Sequence, residues 1–127
     1  MNEPHVLDEA ALAKLRQIGG ASLVSEMITI FLRNAPGRLS EAMAAQAAGN
    51  MEPIERAGHS LKSGCGYVGA TGMRELAIRL ERAAREGDAQ TTQSLLQALE
   101  EAWAAVGPRL QAELREAEQR DSVPDRS

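Results

Sequence analysis

Apolar positions in this chain step by three and four residues, the period of amphipathic helices rather than of strands. Asp8 can cap a first, short helix, with Leu7 and Leu12 placed to staple its start. Leu12, Leu15 and Ile18 form its stripe, and Gly19-Gly20 ends it. Ser22 can cap a second helix, striped by Leu23, Met27, Ile30 and Phe31 and continued by Leu39, Met43 and Ala47. Pro36 falls inside that pattern and predicts a kink or split near 33–35. Gly49-Asn50 is a stop.

A third helix is predicted from about Glu52, with Pro53 in its first turn. Ile54, Gly58, Leu61, Cys65 and Val68 make one continuous face, and Gly69 ends it. Thr71 is placed to cap a fourth helix striped by Met73, Leu76, Ala77, Leu80 and Ala84. Gly87 is its stop and Asp88 the next cap. The last helix carries Leu95, Leu99, Trp103, Val106, Leu110 and Leu114, with Gly107-Pro108 expected to bend or break it and an extension to about Gln119. The expectation is an all-α, up-down antiparallel four-helix bundle with a short additional N-terminal helix. Residues 1–6 form a flexible lead-in, 7–119 the bundle, and 120–127 a disordered tail.

Composition agrees with the helical reading. Aromatics are 2% of 127 residues, so Ala, Leu, Met, Val and Ile must build the core. The net charge of −4, with no Lys/Arg cluster, argues against a nucleic-acid or membrane-surface partner. No apolar run is long enough to span a bilayer, and the N-terminus lacks the basic and apolar regions of a signal peptide. One cysteine, Cys65, offers no disulfide framework and reads as a buried small hydrophobe. The expectation is a cytoplasmic, monomeric protein, and Met1 together with the frayed tail suggests that it stands alone.

Residues 59–70, HSLKSGCGYVGA, hold Gly64, Gly66 and Gly69 at the spacing of a dinucleotide-binding loop. That loop needs a strand before it and a βαβ unit around it, and neither is present. On a helix, His59 lies about 200° from Leu61 and points away from the core. Lys62, Ser63 and Gly66 follow at helical spacing on the same face. Gly58 lies on the core face, where a neighbouring helix could come close. Gly66 has no internal packing to explain it, and its small size lets another molecule approach His59. An exposed imidazole is nucleophilic near neutral pH, and Lys62 could offset the charge of a phosphoryl group on its nitrogen. Nothing else needed for catalysis is visible: there is no carboxylate cluster for Mg²⁺ and no P-loop. The residue reads as a carrier whose partner brings the machinery.

Other candidates are weaker. Glu55 shares the face of His59, but two ligands do not make a metal site, so none is expected. His5 has no assigned role. The following helix should run back alongside, which puts residues around Glu81 and Arg82 level with His59. Arg82, off the core stripe, is placed to help hold a phosphoryl group.

The stretch AGHSLKSGCGYVGA resembles the signature of histidine-containing phosphotransfer (HPt) domains. There, His-x-[Leu/Ile]-Lys is followed by small residues and an apolar-Gly-Ala ending. The matching positions are His59, Leu61, Lys62, Ser63-Gly64-Cys65-Gly66 and Val68-Gly69-Ala70. Phe31-Leu32, Pro36 and Leu39 are similar to the family as well. So are Leu76, Leu80-Glu81 and the run Ala84-Arg85-Glu86-Gly87-Asp88, so that the likeness covers roughly residues 7–115. Ser63 stands where Gly is frequent and Gly58 where Ala is frequent, and both remain small.

The resemblance implies a four-helix bundle that relays phosphoryl groups between receiver-domain aspartates. His59 would be the phosphorylated residue and Lys62 the phosphate neighbour, with Glu55, Ser63 and Gly66 on the docking face. The partners would be response-regulator receiver domains or a hybrid histidine kinase. The chain would itself be no enzyme and carry no cofactor, the receiver supplying Mg²⁺. The alternative is a helical adaptor, or a degenerate HPt domain, that binds a partner without phosphorylation. An adaptor should tolerate His59→Ala with its binding unchanged.

Overall fold

The structure, a computed structural model, describes residues 6–122. His5, most of the expected lead-in and the last residues of the expected tail lie outside them. Four helices account for the described chain: α1 (Glu9–Ala48), α2 (Met51–Val68), α3 (Thr71–Arg85) and α4 (Ala89–Ser122). No strand occurs among the described residues. α1 packs on α2 and α4, and α3 packs on α2 and α4, so the helices form a ring around one core.

The two helices expected before residue 49 are one element. Asp8 caps it as expected, its Oδ1 accepting from the Ala10 amide at 3.0 Å. The non-helical residue is Gly20, with φ 71° and ψ −168°. It separates a short N-terminal arm from the long shaft. The arm buries Leu7, Leu12 and Leu15 and is tied to the α2–α3 turn by the Asp8 amide, which donates to the Gly69 carbonyl at 2.7 Å. Ile18, expected in the arm's stripe, is 69% exposed because the break at Gly20 follows it closely.

Pro36 does not split the shaft, which keeps helical φ/ψ through it. It lies on the exposed side of the helix, away from the packed core. The core stripe of α1 is also shifted from the expected one. Val24, Ile28, Phe31, Ala35, Leu39, Ala42 and Ala45 are buried, while Ile30 and Met43 are exposed and Leu23 and Met27 are half-buried. Three alanines on the buried stripe, Ala35, Ala42 and Ala45, let the neighbouring helices close in, whereas the large side chains alone trace a face rotated from it.

α4 likewise continues unbroken through Gly107-Pro108, to Ser122 rather than about Gln119. Pro108 faces solvent, and Gly107 is buried beside the Trp103 ring, which a Cβ there would meet at an ordinary contact distance of 3.7 Å. Trp103 in turn meets Phe31 edge-on, with ring centroids 5.8 Å apart. α3 is preceded by Ala70 at the cap position, and Thr71 is its first residue, donating through Oγ1 to the Gly69 carbonyl at 3.2 Å. Asp88 caps α4 as expected, accepting the Thr91 amide at 3.0 Å.

The core is aliphatic. Ile28, Ile54, Leu61, Met73, Leu80, Leu99 and Leu110 are fully buried, each contributing roughly 1.5–3 kcal/mol of burial free energy. Two glycines of α2 set how closely its neighbours approach. A Cβ on Gly64 would stand 2.7 Å from the Phe31 ring, and one on Gly58 would stand 2.9 Å from the Glu81 amide nitrogen. The second contact brings α3 onto α2 one residue before His59.

Candidate functional site

α2 presents Glu55, His59, Lys62, Ser63 and Gly66 along one outward face, as its periodicity predicts. The His59 side chain is 65% exposed. Ser63 is exposed, and its hydroxyl donates back to the His59 carbonyl at 3.4 Å. Gly66 is exposed too, with the Arg74 side chain reaching across it: a Cβ there would lie 3.5 Å from Arg74 Nε. Internal contact is therefore present at Gly66, but only with the flexible end of a side chain.

Opposite this face stands Glu81 of α3, one turn before the helix ends. Its side chain is only 12% exposed and gathers three donors. His59 Nδ1 lies 3.0 Å from Oε2, Lys62 Nζ donates to Oε1 at 3.1 Å, and an Arg85 terminal nitrogen reaches Oε2 at 3.5 Å. Arg85 also donates through Nε to Glu55 Oε2 at 3.0 Å, which closes a network back onto α2. Burial works against charge on Glu81, but the hydrogen bonds and charges of Lys62 and His59 together hold its carboxyl below the ordinary value. Glu55, by hydrogen bond and charge, raises Arg85 further.

The pairing with Glu81 favours one imidazole tautomer. An ionised carboxylate can only accept, so Nδ1 carries the hydrogen that faces Glu81. In that tautomer Nε2 carries the lone pair, on a side chain that is 65% exposed. Lys62, 28% exposed, is held on the same carboxylate as the ring.

Of the residues expected level with His59 on α3, Glu81 faces it and Arg82 does not join the network. Arg82 is exposed, and none of the described hydrogen bonds or ion pairs joins it to His59. One residue past Glu81 is about 100° around the helix, whereas Arg85, four residues on, shares its face. Glu81 and Arg85 are the members of the site that the sequence reading did not assign. The signal for them was their i, i+4 spacing on a helix antiparallel to α2. Cys65 is buried, as expected, and burial pushes its thiol up to about 12. Among the described residues no cluster of three or more His, Cys, Asp or Glu side chains could hold a metal ion.

Comparison with known proteins decides the family: the sequence model of the Hpt domain matches residues 26–121. The chain belongs to the Hpt domain family. It is similar to the sensor protein TorS of Escherichia coli (strain K12), at 32% identity over 82 residues, which are 65% of this chain and 9% of that protein. The chain thus spans a small fraction of TorS. The fold is similar to the crystal structure of histidine-containing phosphotransfer protein B (HptB) from Pseudomonas aeruginosa PAO1. The TM-score is 0.83 at 25% identity, over 90% of this chain and 98% of that one. As an Hpt domain the chain is a helical-bundle module of two-component phosphorelay signalling; proteins of that family are phosphocarriers, and their partners are receiver domains and hybrid kinases.

Proposed function

We propose that His59 accepts a phosphoryl group on Nε2 from a receiver-domain aspartate and passes it to the aspartate of a second receiver. The observation that carries this reading is the 3.0 Å contact between His59 Nδ1 and the Glu81 carboxylate, on an imidazole that is 65% exposed: with the hydrogen on Nδ1, Nε2 keeps its lone pair.

The steps follow from that geometry. The Nε2 lone pair attacks the phosphorus of an aspartyl phosphate. The P–O bond breaks, the receiver carboxylate leaves with the electron pair, and an N–P bond forms. No proton need move, because Nδ1 keeps its hydrogen on Glu81 throughout. The product is a phosphoimidazolium whose positive ring rests against a carboxylate. That ring is a good leaving group, so the second receiver's carboxylate attacks phosphorus and the electron pair returns to Nε2. Lys62 offsets charge on the phosphoryl oxygens. Mg²⁺ and the acidic pocket are the receiver's contribution, and this chain supplies neither.

The receiver docks over Glu55, Ser63 and Gly66. Beside them, α1 and α2 form an apolar groove lined by Met27, Ile30, Phe31, Leu61 and Tyr67. Ile30 and Tyr67 are exposed there, next to the nucleophile, which fits an apolar surface that a docked receiver would cover. We read the ring of helices as an up-down bundle carrying an N-terminal arm, acting as a monomer in the cytoplasm. No helix of the described residues is long and apolar enough to cross a membrane.

Incubation with a phosphorylated cognate receiver tests this. Label that is acid-labile and base-stable should appear on the wild type and not on His59→Gln. A folded wild type that takes no label, yet binds the receiver equally well with His59→Ala, would instead indicate an adaptor.

A further inference from the structure

Arg85 is shared between two carboxylates. Its Nε is held by Glu55 at 3.0 Å, while a terminal nitrogen approaches at 3.5 Å the same Glu81 oxygen that His59 Nδ1 contacts. The guanidinium therefore sits beside the imidazole, but its shorter bond draws it toward Glu55. As it stands, the two cations Lys62 and Arg85 are matched by the two anions Glu55 and Glu81. A phosphoryl group on Nε2 adds negative charge to a balanced cluster. Glu81 is committed to the ring and to Lys62, and it is largely buried. Glu55 is exposed enough to exchange its partner for water. The Arg85–Glu55 pair is the one that can open at little cost.

We infer that Glu55 is a positioning residue that sets the lifetime of the phosphohistidine by competing with the phosphoryl group for Arg85. The inference rests on the phosphocarrier reading of His59. When the pair opens, Arg85 donates to phosphoryl oxygens. Hydrolysis breaks the N–P bond, forms a P–O bond to water, and leaves the electron pair on Nε2. In a loose transition state negative charge leaves the phosphoryl oxygens for the ring, so a guanidinium on those oxygens holds the ground state and slows the loss. Glu55, by retaining Arg85, keeps the carrier labile and ready to discharge.

The test needs no receiver. The full chain is phosphorylated with phosphoramidate, the donor is removed, and the decay of the phosphohistidine is followed by ³¹P NMR. Glu55→Gln should lengthen the half-life about 3- to 10-fold and shift the phosphorus resonance, and Arg85→Gln should shorten the half-life by a similar factor. The double variant Glu55→Gln/Arg85→Gln should decay as Arg85→Gln alone, because Glu55 acts only through Arg85. An unchanged or shortened half-life in Glu55→Gln would overturn the inference, and so would a lengthening that persists without Arg85. Wild type that takes no label at His59 would defeat the phosphocarrier reading itself, a different outcome from a label whose lifetime ignores Glu55.

Discussion

Gly58 has no side chain at the point where Glu81 crosses it. A Cβ there would stand 2.9 Å from the Glu81 amide nitrogen and 3.0 Å from the Ala77 carbonyl oxygen. That close approach lets a carboxylate on α3 reach an imidazole on α2. A glycine on the core face thus helps to build a site on the outer face, because the next residue in the chain is His59.

Gly58→Ala should therefore do two things. It should destabilise the fold by roughly 1–3 kcal/mol, since the obstacle is backbone and cannot swing aside. It should also slow phosphorylation of His59 in the protein that remains folded, by moving Glu81 away. Urea denaturation and a labelling assay under native conditions measure the two effects separately.

Glu81→Gln keeps a hydrogen-bond acceptor near Nδ1 but loses the charge. Phosphoryl acceptance should fall about tenfold, because a neutral amide does not stabilise the imidazolium formed. Nitrogen NMR of the imidazole should show the Nε2-bare tautomer dominant in the wild type and a mixture in the variant. Equal tautomer populations in both proteins would contradict the role given to Glu81.

Lys62→Ala should lower transfer about 3- to 10-fold, with most of the rate retained in Lys62→Arg. The reason is that Lys62 acts as a point charge held in place by Glu81 Oε1. Initial rates from a phosphorylated receiver are the readout.

The pH dependence of stability has a defined sign. The carboxyl of Glu81 titrates lower in the folded chain than its ordinary value of 4.5. Its pairing therefore contributes in full above pH 4.5 and is lost as the pH falls through the folded value. Wild type should lose stability more steeply below pH 4.5 than Glu81→Gln does, and denaturant midpoints across that range check it. Parallel curves would show that the network adds nothing to folding.

Gly66→Trp separates docking from chemistry. Arg74 can move aside, so the fold should hold, and phosphoramidate should still label His59. Transfer from a receiver should drop by about tenfold or more, because the indole would occupy the docking face. Normal transfer from the receiver would place docking elsewhere.

How much was legible in the sequence varied along the chain for physical reasons. The face of α2 was readable because His59, Lys62, Ser63 and Gly66 lie on one helix, and helical period alone relates them. Glu81 and Arg85 act across a helix–helix contact whose rotation is set by Gly58 and Ala77, and period on one helix says nothing of that. On α1 the large residues Ile30 and Met43 point the apolar pattern away from the buried stripe, which runs through the small Ala35 and Ala42. Pro36 and Pro108 were read as breaks because propensity treats a proline alike on either side of a helix. Both face solvent, and the only non-helical residue inside α1 is a glycine, Gly20.

The most direct test of the account is to find which atom carries the phosphoryl group. The ¹⁵N-labelled protein, phosphorylated by a receiver, would be studied by nitrogen–phosphorus NMR. Phosphorus should be bonded to Nε2 of His59, with Nδ1 still carrying its hydrogen toward Glu81. Phosphorus on Nδ1, or a His59 ring that stays unmodified while the receiver discharges, would contradict it.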